Sequence, residues 1–281
     1  MKYCSFLCLL FLGVIVCMPQ SEAFEFLTSR GDGLGGCLLL EQTSAPALVS
    51  VPTGGIKDRE WKVEAAYNRK FDLSALDDIF LAGAWRHRSV SMALGLQQFG
   101  QTDYYAERTL KVSGAYHYDS VSVGLSVSGM LIDIGSGYGR LKSATFGVGA
   151  SYRHGRWFLA LAADDLNTPR LYETSPGLKP RVSLYGELVG KGSFSVLGRS
   201  TFQRLEKPQF GLGQRLRLSS GSAFFWGLST APLKYGGGLD LRIDQLMITY
   251  STSIHPELGL THTLSIAYGG PKPPREGDEF D

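Results

Sequence analysis

The chain has 281 residues, a formal net charge of +2 and a charged fraction of 19 %. This balance excludes the strongly basic surface that is typical of a nucleic-acid-binding protein. After residue 23, no segment approaches the roughly 20 consecutive apolar residues that a spanning helix needs, so the sequence also excludes a helical membrane protein.

Residues 1–23 have the pattern of a secretory signal. Lys2 precedes an apolar run at 5–17, and Ser21 and Ala23 provide the small residues of a cleavage site. Cleavage there leaves Cys37 as the only cysteine, which excludes an intramolecular disulfide and a cysteine-based metal site.

From residue 58 to residue 268, segments of alternating apolar and small polar residues follow one another. In residues 245–254, for example, Ile248 and Tyr250 alternate with Thr249 and Ser251. Successive side chains of a strand point to opposite faces, so each segment has one apolar and one polar face. The pattern predicts an all-β fold, a transmembrane up-and-down antiparallel β-barrel of about 14 strands. The expected strands cover 59–69, 78–87, 88–98, 107–118, 121–128, 145–153, 156–165, 181–189, 193–203, 209–218, 222–230, 234–243, 245–254 and 258–268.

Three longer connections between these strands, 99–106, 131–140 and 166–180, are expected to be extracellular loops. Aromatic residues concentrate at strand ends, among them Trp61, Trp85, Phe99, Trp157 and Tyr268. They are interpreted as an interfacial girdle, and ordinary strand propensity is the alternative.

Residues 24–57 interrupt the alternation with clustered glycines, a short apolar run and two prolines. We expect this segment to lie in the lumen as a plug or hook, and a periplasmic extension is the alternative. The residues expected to shape it are Gly33, Gly35, Gly36, Pro52 and Gly54. Residues 269–281 contain three prolines and several charges and are expected to form a disordered periplasmic tail.

The predicted inner face carries more basic than acidic side chains. Such a lumen favours anionic solutes, while a salt-bridge lattice that braces the wall is the alternative. The candidate lumen-facing residues are Arg86, Arg153, Arg199, Arg215, Arg217, Arg242, Glu64, Glu187 and Asp240.

The chain resembles the outer-membrane barrels grouped around the long-chain fatty-acid transporters and the type IX secretion shuttle (PorV-like) proteins. Residues 33–36 (GLGG) match the glycine-rich opening of that group, and residues 50–54 (SVPTG) keep the proline and final glycine of its Asn-Pro-Ala-Gly turn. Residues 163–169 (ADDLNTP) match its strand-to-loop element. Residues 258–268 (LGLTHTLSIAY) match its closing strand, with His262 in the shared place. The resemblance implies a fourteen-stranded barrel with an N-terminal segment in the lumen, but Val51 departs from the pattern of a fatty-acid hatch.

Motifs of catalysis are absent from the sequence: there is no Gly-x-Ser-x-Gly, no paired metal-ligand spacing and no Walker-type loop. We therefore expect no enzyme activity, no cofactor and no metal. The leading hypothesis is an outer-membrane barrel of a Gram-negative-type bacterium, embedded in lipid, that transports or binds a hydrophobic or small anionic molecule. The alternatives are an accessory component of a type IX-like secretion system, with a protein partner, and a barrel lipid hydrolase.

Overall fold

The computed structural model describes residues 29–40, 44–54, 60–101, 105–135, 139–170, 177–190, 193–218 and 221–271. The expected signal sequence and most of the expected tail lie outside this part of the chain. Among the described residues, no helix has the length and apolar character needed to cross a membrane.

The described residues form a closed antiparallel barrel of fourteen strands. Each strand pairs with its neighbours in sequence, and β1 closes the cylinder by pairing with β14 from Glu60↔Pro271 to Arg69↔His262. The predicted fold class is therefore confirmed. The strands are β1 Glu60–Arg69, β2 Asp77–His87, β3 Val90–Gln101, β4 Tyr105–Tyr118, β5 Val121–Ile134, β6 Gly139–His154, β7 Trp157–Asp164, β8 Arg181–Val189, β9 Phe194–Gln203, β10 Gln209–Arg217, β11 Ser222–Ser229, β12 Lys234–Ile243, β13 Leu246–His255 and β14 Gly259–Pro271.

The two ends of the barrel differ in their connections. At the terminal end, where β1 begins and β14 ends, short turns such as 88–89 and 119–120 join the strands. At the opposite, loop end, the connections include the long segment 165–180. Two of the three expected loops are shorter than predicted, because β3 to β6 extend into the ranges 99–106 and 131–140.

The outward-facing side chains are mostly large and apolar. Leu94, Leu212 and Ile266, on three different strands, are 42–48 % exposed. Trp61 and Tyr268 lie side by side on the outer surface at the terminal end, with ring centroids 5.6 Å apart. Phe99 does not join an outer girdle, because it is on the inward-facing positions of β3 and the Lys70 Nζ lies 4.7 Å from its ring centroid.

The N-terminal segment, defined here as residues 29–40 and 44–54, packs against the inner wall. It contains two short helices, α1 (Ser29–Gly33) and α2 (Ala45–Ser50). Helix α2 begins after Ser44, whose side chain accepts a hydrogen bond from the Ala47 amide at 3.3 Å. The alternation predicted a polar inner wall, but part of that wall is apolar. Small residues such as Ala82 and Ala93 pack there against Leu48.

Candidate functional site in the lumen

A buried ion pair anchors α1 to the barrel wall. Arg30 Nε lies 2.8 Å from Asp240 Oδ1, and both side chains are at most 5 % exposed. The second oxygen of Asp240 lies 3.4 Å from Arg215 Nη2, while Thr249 Oγ1 donates to Oδ1 at 2.7 Å. Asp240, on β12, thus links the N-terminal segment to the adjacent strand β13 and, across β11, to β10. Residues Arg30, Arg215, Asp240 and Thr249 are called the anchor below.

Further hydrogen bonds fasten the N-terminal segment on both sides of the anchor. Ser251 Oγ donates to the Ser29 carbonyl at 2.6 Å. On β8, the fully buried Glu187 accepts a hydrogen bond from the Leu40 amide at 2.6 Å. Because charge-assisted hydrogen bonds are the stronger class, Glu187 is a second strong attachment point.

Glycines on the inner wall allow α1 and the following turn to approach the strands closely. A Cβ at Gly236 would lie 2.5 Å from the carbonyl oxygen of Asp32, and one at Gly227 would collide with the backbone of Leu34. The turn itself uses Gly35 and Gly36, whose φ angles are +66° and +81°. The wall and the segment are therefore fitted to each other at the backbone level.

The rest of the N-terminal segment lies against the opposite side of the barrel. Ser113 Oγ on β4 donates to the Leu48 carbonyl at 2.7 Å. Pro52 packs against the wall at Gly149, where an added Cβ would lie 3.1 Å from its ring. The Gly54 amide closes the last turn by donating to the Val51 carbonyl at 2.7 Å. The segment thus contacts both sides of the lumen.

The candidate lumen residues occupy two environments. Arg199, Arg215, Glu64, Glu187 and Asp240 are at most 7 % exposed and lie beside the N-terminal segment or within the wall's polar contacts. Arg199, for example, donates from Nη1 to the Gly36 carbonyl at 3.3 Å, and Asp240 pairs with Arg30 and Arg215. The anion preference and the bracing ion-pair lattice both stay predictions. The remaining four arginines lie near the terminal end and are half-buried or exposed: Arg86, Arg153, Arg217 and Arg242.

A cavity of about 70 Å³ lies on the loop side of α1. Asp32, Gly35 and Gly36 of the N-terminal segment contribute to its lining, together with Lys70 and Lys234 from the rim of the barrel. Asp32 Oδ2 accepts hydrogen bonds from Asn68 Nδ2 at 2.9 Å and Thr263 Oγ1 at 3.1 Å. Burial raises the pKa of Asp32 to about 6, although Lys70 and Lys234 act in the opposite direction.

Sequence reasoning did not single out Arg30, Asp32 or Asn68. Arg30 meets Asp240 across 210 positions, so only the path of the N-terminal segment through the barrel brings them together. Arg30 is the only basic residue among residues 24–56, and this isolated positive charge was an available signal.

His117 on β4 lies between two serine hydroxyls. Its Nε2 is 2.8 Å from Ser91 Oγ, and its Nδ1 is 2.7 Å from Ser122 Oγ. A serine beside a histidine is a possible nucleophile and base pair. Ser91 is fully buried, however, so a substrate has no access to its hydroxyl in this arrangement.

Comparison with known proteins shows likeness in structure alone. No protein-family model matches the chain, and no curated protein matches its sequence. The toluene transporter TbuX of Ralstonia pickettii superposes with a TM-score of 0.62 at 10 % identity, over 86 % of this chain and 97 % of that one. The toluene transporter TodX of Pseudomonas putida gives 0.60 at 9 % identity, over 90 % and 98 %. The outer membrane protein Omp33 of Acinetobacter baumannii gives 0.52 at 8 % identity, over 75 % and 98 %.

These likenesses support the expected broad group of outer-membrane barrels at the level of the fold. The type IX shuttle resemblance stays a prediction. The chain therefore shares the barrel architecture of bacterial outer-membrane proteins, two of which are toluene transporters.

Proposed function

We propose that this chain is a bacterial outer-membrane barrel that transports a small hydrophobic or anionic solute through its lumen. In this proposal the N-terminal segment is a plug that must move before solute passes. The apolar outer surface suits a lipid environment, and full closure of the sheet satisfies the backbone hydrogen bonds that lipid cannot. The similar structures include two toluene transporters, which agrees with transport as the general activity.

The observation that carries the proposal is the span of the N-terminal segment across the lumen. Helix α1 contacts β11 to β14 and β1, α2 contacts the adjoining strands β1 to β4, and Pro52 reaches the wall at Gly149 on β6. An interior crossed in this way has little free cross-section, so solute flow requires displacement of at least one of the two helices. The anchor holds α1 through a few polar groups, which gives that displacement a defined starting point.

Wedging α1 away from the wall tests the proposal without removing any residue. Valine at Gly227 and Gly236 would place side-chain atoms where the backbone of residues 32–35 now lies. We expect the double variant to conduct ions in planar bilayers far more often than the unaltered protein. Gly198→Val is the matched control, because a Cβ at Gly198 meets nothing within 4 Å and the position is on the outer surface.

Equal conductance of the double variant and the unaltered protein would contradict the plug. Opening by Gly198→Val to the same extent would show that valine damages the wall itself. Heat-dependent migration on gels checks that each variant forms a folded barrel, since closed barrels resist unfolding by detergent.

One alternative, a barrel lipid hydrolase, would use the contact between Ser91 and His117 and would require an opening of the wall that exposes Ser91. Such an enzyme would release fatty acid from phospholipid micelles, and Ser91→Ala would abolish the release while the barrel stays folded.

If the barrel instead serves a secretion system, it should co-purify with a large protein complex, and neither the unaltered nor the wedged form should conduct.

A further inference from the structure

The cavity on the loop side of α1 is assigned to a specific class of ligand. We propose that it binds a short organic anion that also carries a hydroxyl group, such as a small hydroxycarboxylate. This inference rests on the proposed function, because it names the solute class that the lumen receives at its loop end. An apolar solute does not fit this cavity, because it would leave the polar groups of the lining without hydrogen-bond partners.

Two lysines from strands that β13 and β14 separate converge on the cavity. Lys70 follows β1, and Lys234 begins β12. Both lie close enough to interact electrostatically with Asp32 at the base of the cavity. The ammonium of Lys70 has three N–H donors, and its pairing with Asp78 at 3.8 Å uses at most one of them, while the Phe99 ring centroid lies 4.7 Å from the same nitrogen. Two cations around a single opening attract a carboxylate.

The second feature is an acceptor that lacks a donor. Asn68 lines the cavity, is 6 % exposed, and its Oδ1 has no hydrogen-bond partner. Its Nδ2 donates to Asp32, which fixes the orientation of the amide and leaves Oδ1 as the free acceptor. A buried acceptor without a partner costs free energy, so a ligand hydroxyl that donates to it would gain affinity.

The size and remaining lining of the cavity limit the ligand to a few heavy atoms. A volume of about 70 Å³ corresponds to about five waters, at roughly 10–15 Å³ for each. Phe71 and Phe210 contribute apolar surface beside the polar groups, which suits a short carbon chain. Lysines for a carboxylate, Asn68 for a hydroxyl and aromatic rings for carbon together describe a short hydroxycarboxylate.

Calorimetric titration of the full chain in detergent micelles tests this assignment with four probes. Sodium lactate carries both the charge and the hydroxyl, acetate lacks the hydroxyl, 1,2-propanediol lacks the charge, and toluene lacks both. We expect lactate to bind about ten-fold more tightly than acetate or the diol, and toluene to show no saturable binding at this site. Equal affinity for lactate and acetate, or tighter binding of toluene, would overturn the assignment.

Variants locate the binding. Lys70→Met with Lys234→Met should weaken lactate binding at least ten-fold, whereas Asn68→Ala should remove the preference for lactate over acetate and leave acetate binding unchanged. Lys207→Met is the matched control, because Lys207 is exposed at the same end of the barrel and does not line the cavity. If the wedged barrel conducts but lactate binding is absent or insensitive to these changes, the ligand assignment fails and the transport proposal remains.

Discussion

Removing the guanidinium of Arg30 is the sharpest perturbation of the closed lumen. Arg30→Met keeps a long side chain but deletes the ion pair to Asp240 at 2.8 Å and the contact to Thr249 at 3.4 Å. The barrel wall is untouched, because Arg30 belongs to the N-terminal segment. The change therefore acts on the docking of that segment rather than on the strands.

The expected loss of docking free energy depends on which partners Asp240 retains after the substitution. Breaking a buried ion pair by deleting one partner costs about 3–5 kcal/mol, because the other charge stays buried. Asp240 retains Arg215 at 3.4 Å and the hydroxyl of Thr249 at 2.7 Å. We therefore expect the lower end of the range, about 3 kcal/mol, which corresponds to an increase on the order of 100-fold in the undocked population.

Cys37 reports this population directly. It is 1 % exposed in the docked segment, and burial raises the pKa of its thiol to about 12, so both access and thiolate formation require undocking. Maleimide labelling of a chain without residues 1–23, in which Cys37 is the only cysteine, should be about 100-fold faster for Arg30→Met. Arg153→Met is the control, because the Arg153 guanidinium lies over the wall residue Phe158, 4.6 Å from its ring centroid. A labelling rate within about three-fold of the unaltered protein would refute the role of the anchor.

Three further changes probe the same lumen. Leu34 is fully buried beside Cys37, so Leu34→Ala should cost the docked segment about 2–5 kcal/mol and also speed the labelling of Cys37. Docking raises the pKa of Asp32 from 3.8 to about 6, so the docked segment binds a proton more tightly than the undocked one. The docked state therefore loses about 3 kcal/mol of stability as the pH rises from about 4 to 6. Undocking measured by protease cleavage should increase over that interval, and Asp32→Asn should abolish this pH dependence. In a barrel without the N-terminal segment, glutamate at both Arg217 and Arg242 should shift the reversal potential toward cation selectivity, and an unchanged potential would show that these arginines do not set the selectivity.

The barrel was predictable because each strand shows the alternation of apolar outward and small inward side chains within a few consecutive residues. Strands β8 and β12 have the predicted bounds, since Pro180 and Gly190 flank β8, Pro232 precedes β12 and the polar pair Asp244 and Gln245 follows it. Strands β3 to β6 are longer than predicted because polar residues interrupt the alternation near the rim. Arg140 and Lys142 on β6, for example, resemble loop residues in sequence, yet they pair with Asp133 and Leu131 of β5.

The site was less predictable, because its contacts join residues that are far apart in sequence. The parity of each strand places Asp240 and Arg215 on the inner face, but it does not reveal that Arg30 reaches them. Lys70 and Lys234 lie at strand ends, where a charged residue is ordinarily a solvated loop residue. Only the closed register and the position of Asp32 bring these lysines to one cavity.

Deletion of the N-terminal segment with measurement of single-channel conductance tests the central claim most directly. The unaltered protein should remain closed in a planar bilayer, and the barrel that lacks residues 29–54 should open to a stable pore. Addition of a peptide that spans residues 24–57 should close that pore again. A deleted barrel that inserts and folds but stays closed would contradict the account.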